Sequence, residues 1–229
     1  MDGNGRWATA QGLPRLAGHK AGIDAVLGLV RKAPALGVTT ITLFAFAIAN
    51  WKRDKEEVDG LWELFHLFFV HHLQELIQEG VKVTVIGNRA GLPKIVLDDV
   101  KKIEFDSQKN STLLLQVALN YDGIDEVTRM VQKIVQEKIK VEEITDAYVL
   151  GHLDTKAGSD PDIIIRTGMP HVKEGMAIWR RSAFLPLQSV QSVCVSSEVL
   201  WPDFTVDNLQ KIITFADPDA RLFGGQRKE

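Results

Sequence analysis

The 229-residue sequence contains one cysteine, Cys194, which excludes an internal disulfide and any cysteine-rich zinc site. We expect this cysteine to be buried and inert. No run reaches the roughly 18 apolar residues of a membrane span, and no secretory signal pattern stands before the first motif. These absences predict a soluble protein of a reducing compartment, cytoplasmic or, if the chain is a trimmed plant protein, in the plastid stroma.

An excess of positive charge is also lacking, because the formal net charge is -3. This argues against nucleic acid as a partner, since non-specific binding needs a broadly basic surface. The glycine-rich P-loop is absent too, so nucleotide hydrolysis is not supported. With 45% hydrophobic and 25% charged residues, the composition is that of a globular protein, and the length suits a single domain over residues 1–229.

Hydrophobic patterns alternate between strands and helices along the chain. Helical spacing runs from Ile23 to Val30 before Gly37, over Lys55 to Glu79 after a capping Asp54, from Pro93 to Gln108, and over Asp125 to Lys138. Short β-branched runs predict strands at Thr40–Phe46, Val81–Ile86, Leu113–Leu119, Ile163–Ile165 and Val190–Val195. Strands separated by single helices predict an α/β fold with a mostly parallel central sheet flanked by helices.

The opening stretch, Met1 to Ala8 (MDGNGRWA), is unlike core sequence. Glycines on both sides of Asn4 allow positive φ angles and a close approach to a ligand. Asp2 offers carboxylate oxygens to a divalent cation, and Arg6 offers a planar fork to phosphate oxygens. The stretch predicts an anion-binding loop, although Asp-Gly and Asn-Gly are also common in ordinary turns.

Polar residues also follow the predicted strands. In a parallel sheet the carboxyl ends of the strands share one edge, so we expect these side chains to meet. Several arginines beside an aspartate suit a substrate that carries a diphosphate, each desolvated charged contact contributing about 1.5 to 3 kcal/mol. The residues expected at this edge are Arg6, Arg15, His19, Asn50, Arg53, Asn120, Tyr121 and Arg166.

Taken together, these segments resemble the cis-prenyltransferase family, the relatives of undecaprenyl and dehydrodolichyl diphosphate synthases. The resemblance covers most of the chain, through MDGNGRWA, GLPRLAGHKAG, FAFAIANWKRDKEEV, VALNYDG, DPDIIIRTG, VLWPDFT and RLFGG. It implies a homodimer that uses magnesium and prenyl diphosphate substrates. An allylic diphosphate ionises, the double bond of a second prenyl diphosphate attacks, and a proton is lost, while magnesium and guanidinium groups stabilise the departing diphosphate.

The resemblance also implies roles for individual residues. Asp2 is the expected metal ligand and a catalytic residue, and Asn50 is the second expected catalytic residue beside the condensing carbons. Glu57 is a weaker candidate that pairs near the site. The residues expected to bind substrate are Gly3, Asn4, Gly5, Arg6, Trp7, Arg15, His19, Trp51, Arg53 and Arg166.

The chain departs from the family pattern at the positions expected to serve the acceptor. The usual Phe-Ser-x-Glu-Asn-Trp reads FAIANW here, so that Ala47 and Ala49 replace the hydroxyl and the acid, and the proton acceptor is left open. The second Arg and the Ser that bind isopentenyl diphosphate are replaced by Val172 and Glu174, with Lys173 between them. The metal-binding Glu of the family's Ser-Ala-Tyr-x-Glu run is also missing.

These departures leave three functions open. The favoured one is an enzyme that couples short allylic diphosphates, such as two dimethylallyl diphosphates, into a C10 product in a head-to-middle fashion, as lavandulyl diphosphate synthase does. Ordinary cis elongation with isopentenyl diphosphate is the second. A non-catalytic subunit of a heteromeric prenyltransferase is the third, disfavoured because such subunits usually lack the aspartate that is present as Asp2.

Two further patterns have alternative explanations. Trp62, Phe65 and Phe69 recur at helical spacing and would shorten the tunnel for the growing chain, but such a stripe is also typical of a core. His66, His71 and His72 lack an acid to complete a metal site, so we expect them to face solvent.

The segment Arg221 to Gly225 resembles the family tail that reaches a neighbouring subunit.

Overall fold

A computed structural model describes residues 1–169 and 182–216. Val172, Lys173, Glu174 and the segment Arg221 to Gly225 therefore lie outside the described residues. The helices are α1 Asn4–Ala10, α2 Arg15–Lys32, α3 Lys55–Leu67, α4 Leu73–Gln78, α5 Lys94–Ser107, α6 Gly123–Glu137, α7 Asp146–Leu150 and α8 Val206–Ala216. The strands are β1 Thr40–Ala47, β2 Val81–Ile86, β3 Leu113–Tyr121, β4 Ile163–Arg166 and β5 Val193–Ser196.

All strand pairs are parallel, which confirms the predicted α/β fold with a parallel sheet flanked by helices. The strands form two sheets, a three-stranded one in the order β1-β3-β2 and a two-stranded one of β4 and β5. The registers align Thr40 with Leu114, Val81 with Leu113, and Ile163 with Val193. Parallel pairing follows from the helical connections, because each strand must be reached by a crossover.

The core lies around β3, whose nine residues are all buried. This burial explains the continuous apolar run of the strand, since β3 has a neighbour on each side and helices above and below. Val58 and Leu61 of α3 and Val96 and Val100 of α5 belong to the same buried cluster. Each fully buried aliphatic side chain of this kind contributes about 1.5 to 3 kcal/mol.

The long helix predicted over Lys55 to Glu79 is interrupted by a π-helical turn at Phe68–His72. A π turn inserts one extra residue into the helical repeat, and the hydrophobic pattern does not reveal it. Asp54 stands at the N-cap of α3 as predicted, but its side chain makes no capping hydrogen bond. Gly37 and Gly80 do end their segments, with positive φ angles of 79° and 88°.

Two local predictions were wrong. The opening loop becomes helix α1 from Asn4 onward, with Gly3 at its N-cap and a φ angle of 117°. Cys194 is exposed rather than buried, because β5 lies at the edge of its sheet and alternate residues point outward. In the described ranges, no helix is both long and apolar enough to cross a membrane.

Candidate active site

Asp2 lies where the start of the chain meets the carboxyl end of β4. Its N–H donates to Thr167 Oγ1 at 2.9 Å, and the Thr167 hydroxyl donates to the Asp2 carbonyl at 2.9 Å. The Trp201 N–H donates to the same carbonyl at 3.1 Å. These bonds fix the Asp2 main chain, while its side chain remains 47% exposed.

Two arginines flank the Asp2 carboxylate. Arg6 Nη2 lies 3.4 Å from Oδ1, and Arg166 Nη2 lies 3.3 Å from Oδ2. Tight charge-assisted hydrogen bonds are shorter, about 2.7 to 2.9 Å, and partly exposed pairs of this kind contribute little to stability. The carboxylate and the two guanidinium groups can therefore exchange these contacts for a bound cation and anion at small cost.

Glycines permit this close arrangement. A Cβ atom at Gly168 would lie 2.6 Å from Arg6 Nη2 and 2.7 Å from the Asp2 carbonyl oxygen, and Gly168 has a φ angle of 65°. A Cβ atom at Gly5 would lie 2.9 Å from Arg15 Cζ. The Arg15 guanidinium thus lies directly against the backbone of the opening segment, and a ligand shared by the two stays a prediction.

Asn4 and Trp7 attach α1 to the rest of the molecule. The Asn4 carbonyl lies so near α2 that a Cβ at Gly18 would stand 1.9 Å from it, and the Asn4 Oδ1 is buried without a hydrogen-bond partner among the described residues. Trp7 Nε1 donates to Asp203 Oδ1 at 2.8 Å. Both side chains are engaged in packing, and their substrate contacts stay a prediction.

Glu57 is the centre of a second cluster. Its carboxylate accepts hydrogen bonds from Arg15 Nε at 3.1 Å and Arg53 Nη1 at 3.1 Å, and it lies 3.7 Å from His19 Nε2. Burial alone would raise the pKa of Glu57, but the hydrogen bond from Arg15 and the charge of Arg53 outweigh it, so that its pKa lies below the ordinary value. An ionised Glu57 therefore holds both arginines in place.

His19 is mostly buried between these charges. Burial, together with the nearby charge of Arg53, lowers the pKa of His19 to about 4, against the opposing effect of Glu57. Its Nε2 atom is buried and makes no hydrogen bond among the described residues. The imidazole is therefore neutral at pH 7 and retains an unused polar atom beside two arginines.

The turn after β1 carries Asn50 and Trp51. Asn50 Oδ1 accepts the Ala47 N–H at 2.9 Å, which closes the 3-10 turn Ile48–Lys52. Trp51 Nε1 donates to Asn120 Oδ1 at 2.8 Å, and its ring meets Phe46 at 5.2 Å between centroids. Trp51 is still 40% exposed and does not line the cavity described below, so its contact with substrate stays a prediction.

Asn120 and Tyr121 differ in their placement. Asn120, with a φ angle of 48°, supports Trp51 and also donates to the carbonyls of Asn88 and Ala90 at 2.8 and 3.1 Å. Tyr121 is fully buried in another cluster, and its hydroxyl donates to Glu126 at 2.5 Å. Burial raises the pKa of Tyr121 well above its ordinary value. Tyr121 is therefore not at the site edge where it was predicted.

One cavity joins the two clusters. Asp2, Asn50, Arg53 and Arg166 all line a space of about 550 Å³ that continues between β1 and β4. These four side chains lie at the carboxyl ends of the two strands, whereas Asp160 and Asp162 line the cavity before the start of β4, and apolar side chains line much of the rest. The predicted gathering of polar and charged residues at one sheet edge is thus observed for these four side chains.

The other predicted patterns lie elsewhere. Trp62 and Phe69 are 5% and 0% exposed and belong to the core cluster, and neither lines the large cavity. His66 is not solvent-facing as predicted, since its Nδ1 lies 2.7 Å from Asp99 and its side chain is 31% exposed. Over residues 1–169 and 182–216, no group of three or more His, Cys, Asp or Glu side chains is placed to hold a metal.

Sequence reasoning missed the supporting roles of Thr167 and Gly168 and undervalued Glu57. Thr167 follows Arg166 at a strand end, a position from which a hydroxyl reaches a neighbouring backbone, but its partner Asp2 is 165 residues away. Glu57 lies in the first turn of α3, four residues after Arg53, and this short spacing could have indicated that the two side chains pair. Its bond to Arg15 depends on how α2 and α3 pack.

Comparisons with known proteins agree with this geometry. A family model described as putative undecaprenyl diphosphate synthase matches residues 1–224. An isoprenyl transferase of Streptococcus agalactiae is 39% identical over 98% of this chain and 90% of its own length. An isoprenyl transferase of Bacillus anthracis is 37% identical over 98% of this chain and 86% of its own length.

Two solved structures have the same fold. The crystal structure of lavandulyl diphosphate synthase from Lavandula x intermedia in complex with dimethylallyl diphosphate aligns with a TM-score of 0.89 and 25% identity, over 98% of this chain and 95% of that one. A probable undecaprenyl diphosphate synthase from Campylobacter jejuni aligns with a TM-score of 0.78 and 24% identity, over 90% of this chain and 92% of that one.

Proposed function

The chain belongs to the cis-prenyltransferase family, and from that premise we propose that Asp2, Arg6 and Arg166 form the donor site where a short allylic diphosphate ionises. The family assignment makes the chain a prenyltransferase acting on prenyl diphosphates. It gives no support to the alternative of a non-catalytic subunit. The substrate proposed for the donor site is dimethylallyl diphosphate or a similarly short homologue.

The observation that carries this proposal is the position of Asp2 between two arginines. The contacts at 3.4 Å and 3.3 Å are long, and the carboxylate is half-exposed, so a ligand can replace them. A diphosphate offers oxygens to both guanidinium groups, and its cation offers the carboxylate a partner. Asp2, Arg6 and Arg166 would then stay in position, and their contacts with one another would be replaced by contacts with the cation and the diphosphate.

Magnesium fits this donor set. Mg²⁺ in proteins is commonly held by one or two carboxylates and substrate phosphates, with water completing the octahedron, so a single Asp2 carboxylate suffices. When bound, the ion would withdraw negative charge from the leaving diphosphate. The Asp2 side chain would hold it, and the main-chain bonds to Thr167 would keep that side chain oriented.

The second cluster is proposed to bind the remaining phosphate oxygens. Arg15 and Arg53 are held by Glu57, and His19 has an unused buried Nε2 beside them. If a phosphate oxygen displaced the Glu57 carboxylate, the guanidinium groups of Arg15 and Arg53 could donate hydrogen bonds to it without moving. The backbone of Gly3 to Gly5 and the Trp7 ring complete the proposed binding residues.

The proposed reaction breaks the C–O bond of the allylic diphosphate and leaves an allylic cation and diphosphate. The double bond of the second substrate attacks the cation, and a neighbouring carbon loses a proton. Ala47 and Ala49 carry no acceptor, so the released diphosphate is the proposed base. Asn50, whose Oδ1 holds the turn, keeps its amide N–H₂ for orienting a substrate oxygen.

The acceptor has two candidates, each with its own support. The curated relatives are isoprenyl transferases, which favours ordinary cis elongation with isopentenyl diphosphate. Val172 and Glu174 in place of the usual arginine and serine, together with the likeness to lavandulyl diphosphate synthase, favour irregular head-to-middle coupling to a C10 product. We retain irregular coupling as the first candidate, because Val172 and Glu174 stand in place of the two residues that the family pattern uses to bind isopentenyl diphosphate.

Two incubations distinguish them. The protein is mixed with magnesium and dimethylallyl diphosphate, either alone or together with isopentenyl diphosphate, and products are dephosphorylated and separated by gas chromatography. A branched C10 alcohol formed without isopentenyl diphosphate supports irregular coupling. Products that require isopentenyl diphosphate and grow by C5 units support elongation, and no turnover with either mixture contradicts the donor-site proposal.

The domain organisation, assembly and location of the protein are also proposals. We propose that residues 1–229 form one domain. We also propose that the protein is a homodimer, because α6 exposes an apolar stripe of Ile124, Val131 and Val135, which are 66%, 48% and 69% exposed. The curated relatives described above are bacterial, which favours the cytoplasm and gives no support to the plastid expectation.

A further inference from the structure

Asn120 lies at the point where the ladder between β1 and β3 becomes irregular. The register pairs Phe46 with Leu119 and Ala47 with Tyr121, so that Asn120 is passed over between the two pairs. Its backbone is left-handed, with a φ angle of 48°, and the residue is 6% exposed. Asparagine suits this position, because its short amide tolerates the left-handed region. An extra residue in one strand often redirects a side chain beside a functional site.

The side-chain amide of Asn120 joins β3 to two segments that are far away in the sequence. Its Oδ1 atom accepts the Trp51 Nε1–H at 2.8 Å, and its Nδ2 atom donates to the carbonyls of Asn88 and Ala90 at 2.8 and 3.1 Å. An indole nitrogen only donates and a carbonyl only accepts, so these partners fix the orientation of the amide. An aspartate of the same shape would place a carboxylate against two carbonyl oxygens and would lose both donors.

The loop after β2 gives this amide a fixed support. The Asn88 N–H donates back to the Asn120 carbonyl at 3.1 Å, and Asn88 Oδ1 accepts the Ala90 N–H at 3.0 Å. Asn88 Nδ2 donates to Asp125 Oδ1 of α6 at 3.1 Å. The two carbonyls that hold the Asn120 amide are therefore themselves bonded to β3 and to α6.

The turn Ile48–Lys52 depends on the other side of the amide. The bond from the Ala47 N–H to Asn50 Oδ1 stays within the turn and the end of its strand. Among the side chains of this turn, that of Trp51 makes the one hydrogen bond to another strand in the part of the chain that the structure describes. The indole ring also packs on Phe46 and Trp62, with centroids 5.2 and 5.3 Å away. Apolar contacts are non-directional, so the hydrogen bond is what fixes the rotation of the ring.

We propose that Asn120 is a positioning residue for the condensation, which acts through the Trp51 indole to place the Asn50 amide at the cavity. Asn50 lines the cavity together with Asp2, whereas neither Trp51 nor Asn120 is among the described residues that line it. The inference rests on the proposed donor site and on the role expected of Asn50 beside the condensing carbons. Asn120 affects the reaction without touching the substrate.

A positioning role predicts a loss of rate with little loss of binding. Arg53, which follows the turn, is held by Glu57 at 3.1 Å and does not need Trp51 for its place. Asn120→Gly keeps the left-handed backbone without strain and removes only the amide. We expect it to lower kcat about tenfold or more, while the KM for dimethylallyl diphosphate changes less than about threefold.

Asn110→Gly is the matched control for the lost hydrogen bonds. Asn110 Nδ2 also donates to two carbonyls, those of Ile77 and Val81 at 2.7 and 3.0 Å, at the opposite end of β2. Both variants should lower the Tm, because each frees two carbonyls from an amide donor. Only Asn120→Gly should lower kcat.

A second substitution tests the route through the indole. Trp51→Phe keeps an aromatic ring but removes the N–H that Asn120 accepts, so it should also lower kcat. When two residues act through one bond, the second change adds little to the first. We therefore expect Asn120→Gly to lower kcat less than about twofold further in the Trp51→Phe chain.

A readout without turnover follows the indole itself. The ¹⁵N–¹H signal of the Trp51 indole is identified by its loss in Trp51→Phe. Its exchange with solvent should become about tenfold faster in Asn120→Gly and stay unchanged in Asn110→Gly.

Three outcomes would overturn the positioning role of Asn120. They are unchanged indole exchange in Asn120→Gly, a kcat of this variant equal to that of the wild-type chain, and equal losses of kcat with and without Trp51→Phe. Absence of turnover in the wild-type chain would instead contradict the donor site, and with it any effect of Asn120 on the condensation, even if the indole exchange confirmed the bond.

Discussion

At the scale of single residues, the carboxylate of Asp2 is the group on which the proposed chemistry depends. Its main chain is fixed by Thr167 and Trp201, so removal of the side chain leaves the backbone bonds intact. We expect Asp2→Ala to reduce magnesium-dependent turnover about a hundredfold or more while changing the Tm little. Turnover is measured with saturating dimethylallyl diphosphate.

Asp24→Ala is the matched control for this substitution, since Asp24 is an exposed residue of α2. The control should keep both activity and Tm. Retention of full activity by Asp2→Ala would remove the metal-ligand assignment, and a large loss of Tm would show a structural role instead.

His19 makes a specific prediction about stability and pH. Its pKa is about 4 in the folded protein against the ordinary 6.5, so the unfolded chain binds more protons between these values. The stability contributed by the neutral ring is present above about pH 6.5 and is lost as the pH falls to about 4, a change of about 3 kcal/mol. Urea unfolding at several pH values measures it.

We expect His19→Gln to flatten this pH dependence, while His71→Gln, at an exposed position, leaves it unchanged. Equal slopes in the two variants would show that His19 titrates normally. A soluble diphosphate should reduce the effect in the wild-type chain, because a bound anion favours the protonated ring.

Single residues also mark how far the sequence could predict the site. Asp2, Arg6 and Arg166 were predicted to converge because residues at the carboxyl ends of parallel strands share an edge. Glu57 was undervalued because its bond to Arg15 joins residues 42 positions apart, a contact made by tertiary packing and not by local spacing.

At the scale of elements, the packing of α1 on α2 positions the donor loop. Gly18 lies where a Cβ atom would stand 1.9 Å from the Asn4 carbonyl, so no side chain fits without moving α1. We expect Gly18→Ala to cost about 2 kcal/mol or more through overpacking and to lower activity by displacing Asp2. Urea unfolding and turnover measure the two effects.

Gly28→Ala is the control on the same helix. Nothing lies within 4 Å of a Cβ atom at Gly28, and its helical backbone gains from alanine. This variant should be more stable by about 0.5 to 1 kcal/mol with unchanged activity. Equal effects of the two substitutions would contradict the packing argument.

Elements differed in how well their sequences predicted them. β2 was predicted with its observed bounds, since a β-branched run between two glycines has few alternatives. α1 was missed because glycines stand at its N-cap and at position 5 within it, and no side-chain cap marks its start. The division into two sheets was also missed, because strand content does not reveal which neighbours a strand will find.

At the scale of the whole molecule, the exposed stripe on α6 makes a prediction about assembly. Met130 and Ile134 face the interior, whereas Val131 and Val135 face outward. In a two-fold interface such a patch meets its own copy or a neighbouring patch, so a charge placed there is buried in the dimer. We expect Val131→Glu with Val135→Glu to give a monomer by sedimentation velocity, with an unchanged circular dichroism spectrum.

Lys133→Glu changes the charge of the same helix at another exposed position and should leave the dimer intact. A wild-type protein that sediments as a monomer at micromolar concentration would exclude the homodimer proposal. Dissociation of both charge variants alike would show a general electrostatic effect in place of an apolar contact.

The division of the strands between two sheets has a mechanical consequence for the site. Asp2 and Arg166 are tied to the end of β4, whereas Asn50 and Arg53 follow β1, and all four line the cavity between the two sheets. A diphosphate that contacts both pairs would connect the two sheets across the cavity. The bound ligand would then help the chain to hold the two sheets in their relative position. Because binding of such a ligand also stabilises the arrangement of the two sheets, substrate affinity and the rigidity of the molecule should increase together.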